Sequence, residues 1–298
     1  MRMRYRLLDT LRGFSLVSMI LFHACWDLVY LFGYDWPWYK GTPGYLWQQS
    51  ICWMFILISG FCMGLKQERR ALPFADKRGT AEENSSLQFA GKQGVAKENS
   101  LSQFADKRGV TEEKRTLWSE CKRGLIVLAA GILITIATLL FSPQTKIIFG
   151  VLFFLGVSMI LTAILRSAFR KISPFIGMLC VGVLFFVLRN INDGNLGFEG
   201  IVLYPLPNFL YEQGLLATFF GFQDKNFFST DYFSLIPWYF LFLAGYFLCR
   251  CFLEKNSSAA LPEFFKKGIP VFKIIGQHSL PVYLLHQPVI LLLLSFIL

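Results

Sequence analysis

The sequence predicts an all-α polytopic transmembrane bundle of about seven helices with a cytoplasmic N-terminus, and three observations carry this. Of its 298 residues 54% are hydrophobic and only 16% charged, well above the apolar share of a soluble domain. Apolar runs of about 18 residues or more, the length that crosses a ~30 Å hydrocarbon core, recur along the whole chain. The basic residues gather in alternate loops, as the bias of Lys and Arg toward the cytoplasm requires.

The predicted spans run over residues 7–32, 45–65, 125–141, 147–165, 172–188, 235–252 and 278–298. Arg2, Arg4 and Arg6 precede the first, but it is too long for a signal peptide and lacks a small-residue cleavage site, so it is expected to stay in the mature protein. With the N-terminus inside, the inner segments carry 24 Lys and Arg, 13 of them in residues 66–123, and the outer ones only Lys40, Lys146, Arg189 and Lys225. The formal charge of +10 therefore reads as basic loops against an anionic leaflet, and nucleic-acid binding is excluded. The seven cysteines lack zinc spacing, so no metal is expected. A multi-pass protein of the plasma membrane, in contact with lipid, is the resulting expectation.

One domain, residues 1–298, holds two unusual stretches. Between residues 66 and 120 the segments starting at Phe74, Phe89 and Phe104 repeat every fifteen residues, and Ser119-Glu-Cys-Lys-Arg-Gly continues the phase. So few apolar groups among so many charges cannot offset the entropy of ordering, which predicts a flexible cytoplasmic insertion. Residues 190–234 form a long outer loop rich in Phe and Tyr, which predicts an ordered cap on the membrane surface.

The first span carries the chemistry. Arg12 and His23 are eleven residues apart, which on a helix is three turns and ~20°, with a rise of ~16 Å. Asp9 precedes Arg12 by three and Asp27 follows His23 by four, so all four share an arc of about 60° that must look into protein or water. Ionisable groups in lipid are costly and mark function by default. Asp9 with Arg12 and Asp27 with His23 are expected to pair locally. In the second pair a carboxylate one turn away would orient the imidazole as a general base. The same residues would also suit a transporter or proton relay.

Leu8-Asp9-Thr10-Leu11-Arg12-Gly13 followed by Phe22-His23, together with Gly276-Gln277-His278-Ser279-Leu280-Pro281-Val282-Tyr283-Leu284-Leu285-His286-Gln287-Pro288, resembles the membrane-bound acyltransferase superfamily. This superfamily includes acyltransferase family three and the heparan-alpha-glucosaminide N-acetyltransferases, and the likeness is to the small bacterial branch of the latter. Phe55–Gly60, Phe149–Gly156 and Asp231–Trp238 are looser matches. Phe153 stands where the resemblance predicts a histidine, and Trp36, Trp38 and Tyr39 stand where the lysosomal members carry their catalytic one.

The resemblance implies transfer of an acetyl group from cytoplasmic acetyl-CoA, the acyl donor, to a hydroxyl or amine of an extracytoplasmic glycan or amino sugar. It implies Arg12, His23 and Asp27 as the catalytic set: Arg12 toward donor phosphate or pantetheine, His23 as base and Asp27 orienting it. Asp9, Asp231, Trp238, Tyr283 and His286 are expected to bind substrate, with Tyr283 and His286 on the opposite wall and Asp231 at the outer mouth. Packing or interface roles stay open for Trp238 and Tyr283.

Overall fold

The computed structural model describes residues 5–87, 95–255 and 260–298, and side chains outside residues 71–114. Among these residues there are eleven α-helices and one antiparallel hairpin. The helices are α1 (Arg6–Tyr30), α2 (Pro37–Lys40), α3 (Thr42–Leu87), α4 (Val95–Phe141), α5 (Val151–Ile164), α6 (Arg166–Arg170), α7 (Pro174–Val187), α8 (Gly214–Phe220), α9 (Leu235–Lys255), α10 (Pro270–Gln277) and α11 (Ser279–Ile297).

Five helical stretches are long and apolar enough to cross a membrane: Arg6–Tyr30, Thr42–Arg70, Arg115–Phe141, Leu235–Lys255 and Ser279–Ile297. The other two expected spans are shorter. Helices α5 and α7 have 14 residues each, or ~21 Å at 1.5 Å per residue. The apolar run before α5 is diverted out of the helix. Ile148 N–H donates to Ser229 Oγ at 2.9 Å, Phe233 N–H donates to the Phe149 carbonyl at 2.9 Å, and Phe149 itself adopts a left-handed φ of 57°. At α7 the helix waits for Pro174, whose fixed φ and missing N–H suit a first turn.

Helix α9 lies at the centre. Its Phe242 and Tyr246 are fully buried, as are Leu16 of α1, Ile56 of α3, Phe154 of α5 and Phe185 of α7. A Cβ on Gly60 would fall 1.9 Å from the Phe242 carbonyl oxygen, and one on Gly245 2.1 Å from that of Leu57. The α3–α9 crossing is thus a backbone contact licensed by small residues, as in other membrane bundles. Outward faces of α4 and α11 stay apolar, with Leu133, Leu140, Leu292 and Phe296 exposed, which is what lipid-facing helices require.

The backbone is helical through much of the repeat, since α3 continues to Leu87 and α4 starts at Val95; residues 88–94 lie outside the described residues. Too few apolar groups for a core do not preclude a helix, and Ala, Glu, Lys, Arg and Gln are strong helix formers. Residues 190–234 carry a short hairpin and side chains packed on the bundle. Strands β1 (Asn195–Phe198) and β2 (Ile201–Pro205) pair antiparallel, Tyr211 OH donates to the Ile191 carbonyl at 2.6 Å, and Phe198 packs on Trp53 and Phe186. Every residue of β2 is exposed.

Candidate active site

The polar face of α1 looks into protein. Asp27 is fully buried and Asp9 nearly so, and the elements that cover them are α10 and α11, the last two helices. Two glycines let α10 approach. A Cβ on Gly13 would lie 1.8 Å from the Phe272 carbonyl oxygen, and one on Gly276 1.9 Å from that of Asp9. The Leu-Arg-Gly of α1 and the Gly-Gln-His of α10 are thus two halves of one crossing.

Arg12 sits at that crossing. Its Nη1 lies 3.4 Å from Asp9 Oδ1, the expected local pair, and donates to the Gly276 carbonyl at 3.4 Å, while Nη2 reaches Cys62 Sγ on α3. Arg123 of α4 is within electrostatic reach of Arg12 and Cys62, and Lys66 of α3 is within reach of Arg70, Arg123 and Glu120. The buried carboxylate of Glu120 is balanced by Arg70 at 3.6 Å and accepts from Gln67 Nε2 at 3.0 Å, while Tyr246 OH donates to Gln67 Oε1 at 3.0 Å. This end of the bundle is therefore a cationic cluster braced by one buried acid, a setting suited to anions. Lys66, Arg70 and Arg123 were visible in the sequence only as contributors to the basic bias of the second loop.

At the other end of the face His23 meets His286 of α11, ring centres 5.0 Å apart and planes tilted by 56°. Tyr283 packs against His286 at 5.3 Å and stacks on Phe55 of α3. Phe22 lies beside His23 and leads to Trp47 and Tyr39. His286 thus lies across from His23, with Tyr283 behind it.

The Asp27 partner differs from the expectation. Gln287 Nε2 donates to Asp27 Oδ1 at 2.8 Å and to Oδ2 at 3.0 Å, and no hydrogen bond joins Asp27 to His23 among the described residues. The four-residue spacing permits an intrahelical pair, but a carboxylate facing a neighbouring helix is satisfied by an amide there whose N–H reaches both of its oxygens. Gln287 follows His286 directly, and that adjacency is the one sequence signal for it.

Asp231 lies within electrostatic reach of Tyr283 and Cys52, but its Oδ2 also accepts the Val151 N–H at 3.1 Å and so caps α5. Burial pushes its carboxyl from the ordinary 3.8 up to about 6, against the opposing pull of that N–H. The folded protein therefore binds this proton more tightly than the unfolded chain, and stability falls as pH rises through the window between the two values. Asp231→Asn should abolish that loss. Relative to the variant, the wild type is expected to lose about 2 kcal/mol between pH 4 and pH 6.5; parallel melting curves in detergent over this range would contradict the assignment. Trp238 is enclosed rather than presented to a ligand. It is 4% exposed, packs against Phe185 and Phe233, and carries the Arg189 guanidinium 4.9 Å above its ring.

No curated protein and no solved structure matches the chain. A family profile does, over residues 4–288, described as heparan-alpha-glucosaminide N-acetyltransferase, catalytic. The match takes in α1, α10 and the histidine-bearing part of α11. The chain belongs to this family of heparan-alpha-glucosaminide N-acetyltransferase catalytic domains and is a multi-pass membrane acyltransferase.

Proposed function

We propose that the protein moves an acetyl group from acetyl-CoA on the cytoplasmic side of the plasma membrane to a hydroxyl or amine of a sugar or glycan on the outer side. The observation that carries this is the His23–His286 pair, on the same face of α1 as Arg12 and about 16 Å along the helix from it. One end offers cations, the other imidazoles, and both look into the bundle. Arg12, with Arg123, Lys66 and Arg70 close by, suits the phosphates and pantetheine arm of the donor. The bias of Lys and Arg in the loops favours that end as the inner one.

The acceptor arrives from the other side. His23 and His286 face it, Tyr283 lines the wall between them and Phe55, and Asp231 belongs to the outer mouth. Asp9 holds Arg12 in register. Trp238 supports the mouth from behind, with Arg189 over its ring. A histidine takes the proton of the attacking group and another polar group steadies charge on the acetyl oxygen, a division that commonly contributes 10²–10⁴-fold for the proton transfer alone.

The test is purified protein in proteoliposomes with labelled acetyl-CoA outside the vesicles on the Arg12 side and a panel of amino sugars and glycans within. Label is expected to move to a sugar, with free CoA released. Sugar or proton flux across the vesicle without any loss of acetyl-CoA would overturn the enzyme reading in favour of transport.

A further inference from the structure

The two imidazoles of the central pair are held in different ways. His286 Nδ1 lies within hydrogen-bond distance of the Tyr283 carbonyl, one turn earlier in α11. A carbonyl oxygen only accepts, so Nδ1 carries the hydrogen of the neutral ring and Nε2 keeps its lone pair. His23 has no such constraint. Its ring packs on Phe22 and on His286, and neither of its nitrogens is hydrogen-bonded among the described residues.

Helix α11 is pinned just where His286 sits. Gln287 Nε2 forks one N–H between both oxygens of Asp27, a residue with no exposed surface. The other end of the same amide, Oε1, is buried with no hydrogen-bond partner among the described residues, so the carboxylate dictates which way the amide points. Turning α11 would strip a buried carboxylate of its donors, which is costly in a medium that offers no replacement.

We propose that His286 is the base of the reaction, acting through Nε2, and that the Asp27–Gln287 clamp is the positioning device that holds it against His23. The proposal rests on the acetyl-transfer reading and assigns the proton within it. As the acceptor oxygen or nitrogen forms its bond to the acetyl carbon, its proton passes to His286 Nε2. The tetrahedral adduct then breaks the carbon–sulfur bond, the CoA thiolate leaves, and His286 returns the proton to the sulfur. One acetyl group and one proton change places and nothing else is consumed.

Two measurements test this. The first is the pH profile of kcat/KM for His286→Gln and His23→Gln, both checked for wild-type elution from size exclusion. His286→Gln is expected to lose about 1,000-fold in kcat and to lose the acid limb of the profile; His23→Gln is slower but keeps that limb. A limb that survives in His286→Gln and vanishes in His23→Gln overturns the assignment. For the clamp, Gln287→Leu is expected to lower kcat about 100-fold with little change in the KM for donor. Exchanging the pair, Asp27→Asn with Gln287→Glu, should recover at least about 10-fold over the worse single variant, since it rebuilds the carboxylate–amide contact in reverse. A double variant no better than that single overturns the clamp.

The second measurement does not depend on activity. The chain has three histidines, so His23→Gln with His278→Gln leaves His286 alone for nitrogen-15 labelling and NMR. A protonated, pyrrole-like Nδ1 with a bare Nε2 is expected, and the reverse pattern overturns the proposal. A wild-type protein that transfers no acetyl group to any acceptor would sink the acetyl-transfer reading, and the NMR result would still report the tautomer.

Discussion

Replacing His23 with alanine is expected to lower acetyl transfer by about 100-fold or more while the protein still inserts and elutes as the wild type does. The ring stands 5.0 Å from that of His286, and under the assignment proposed above it is the second imidazole of the pair, free to steady the acetyl oxygen. A donor aimed at the oxygen on which charge develops is worth roughly 10²–10³ in kcat. Insertion should be spared because alanine is easier to hold in hydrocarbon than an imidazole. The assay is single-turnover transfer from labelled acetyl-CoA, and a variant within about threefold of the wild type would remove His23 from the chemistry.

Gly13→Val carries the largest expected effect on stability. The new Cβ would sit 1.8 Å from the Phe272 carbonyl oxygen and 2.7 Å from its carbon. Backbone cannot swing aside as a side chain can, so α1 and α10 have to separate. The separation breaks the Arg12 bond to the Gly276 carbonyl and carries Arg12 away from Cys62. The cost should exceed ~3 kcal/mol, beyond ordinary overpacking, because the clash is with main chain on both sides. Gly182→Ala is the control: nothing lies within 4 Å of its would-be Cβ on α7, so removing a glycine from that helix should be neutral or add up to about 1 kcal/mol. Thermal unfolding in detergent compares the two. Equal melting temperatures would mean that the crossing is looser than described.

Much of this was written in the sequence at the level of faces. The eleven residues between Arg12 and His23 and the flanking Asp9 and Asp27 put one polar stripe on α1, and the stripe is indeed turned inward. Long apolar runs located the five crossing helices, because hydrophobic length is a property of the chain itself. What faces the stripe was not legible. Spacing within a helix says which residues share a side, but not which neighbour offers a better partner, and so the Asp27 carboxylate could be paired with His23 on paper while Gln287 holds it in the fold. The shortness of α5 was hidden for a related reason. Ile147–Phe149 are apolar enough to continue a span, and only their contacts with Ser229 and Phe233, some eighty residues away, draw them out of it. Trp238 and Asp231 show the same limit: the contacts that the fold gives them, with the Arg189 guanidinium and the Val151 amide, leave no mark in the local sequence.

The bond between Gln287 and Asp27 joins residues 260 positions apart, and the order of synthesis gives that distance a meaning. Helix α1 is made well before α10 and α11, which cover its Arg12 and Asp27. Until those helices follow, α1 must hold charged and polar groups without their final partners, at a cost of a few kcal/mol for each in hydrocarbon that has no water or substitute. The nascent bundle is thus least stable at the helix that carries this polar stripe.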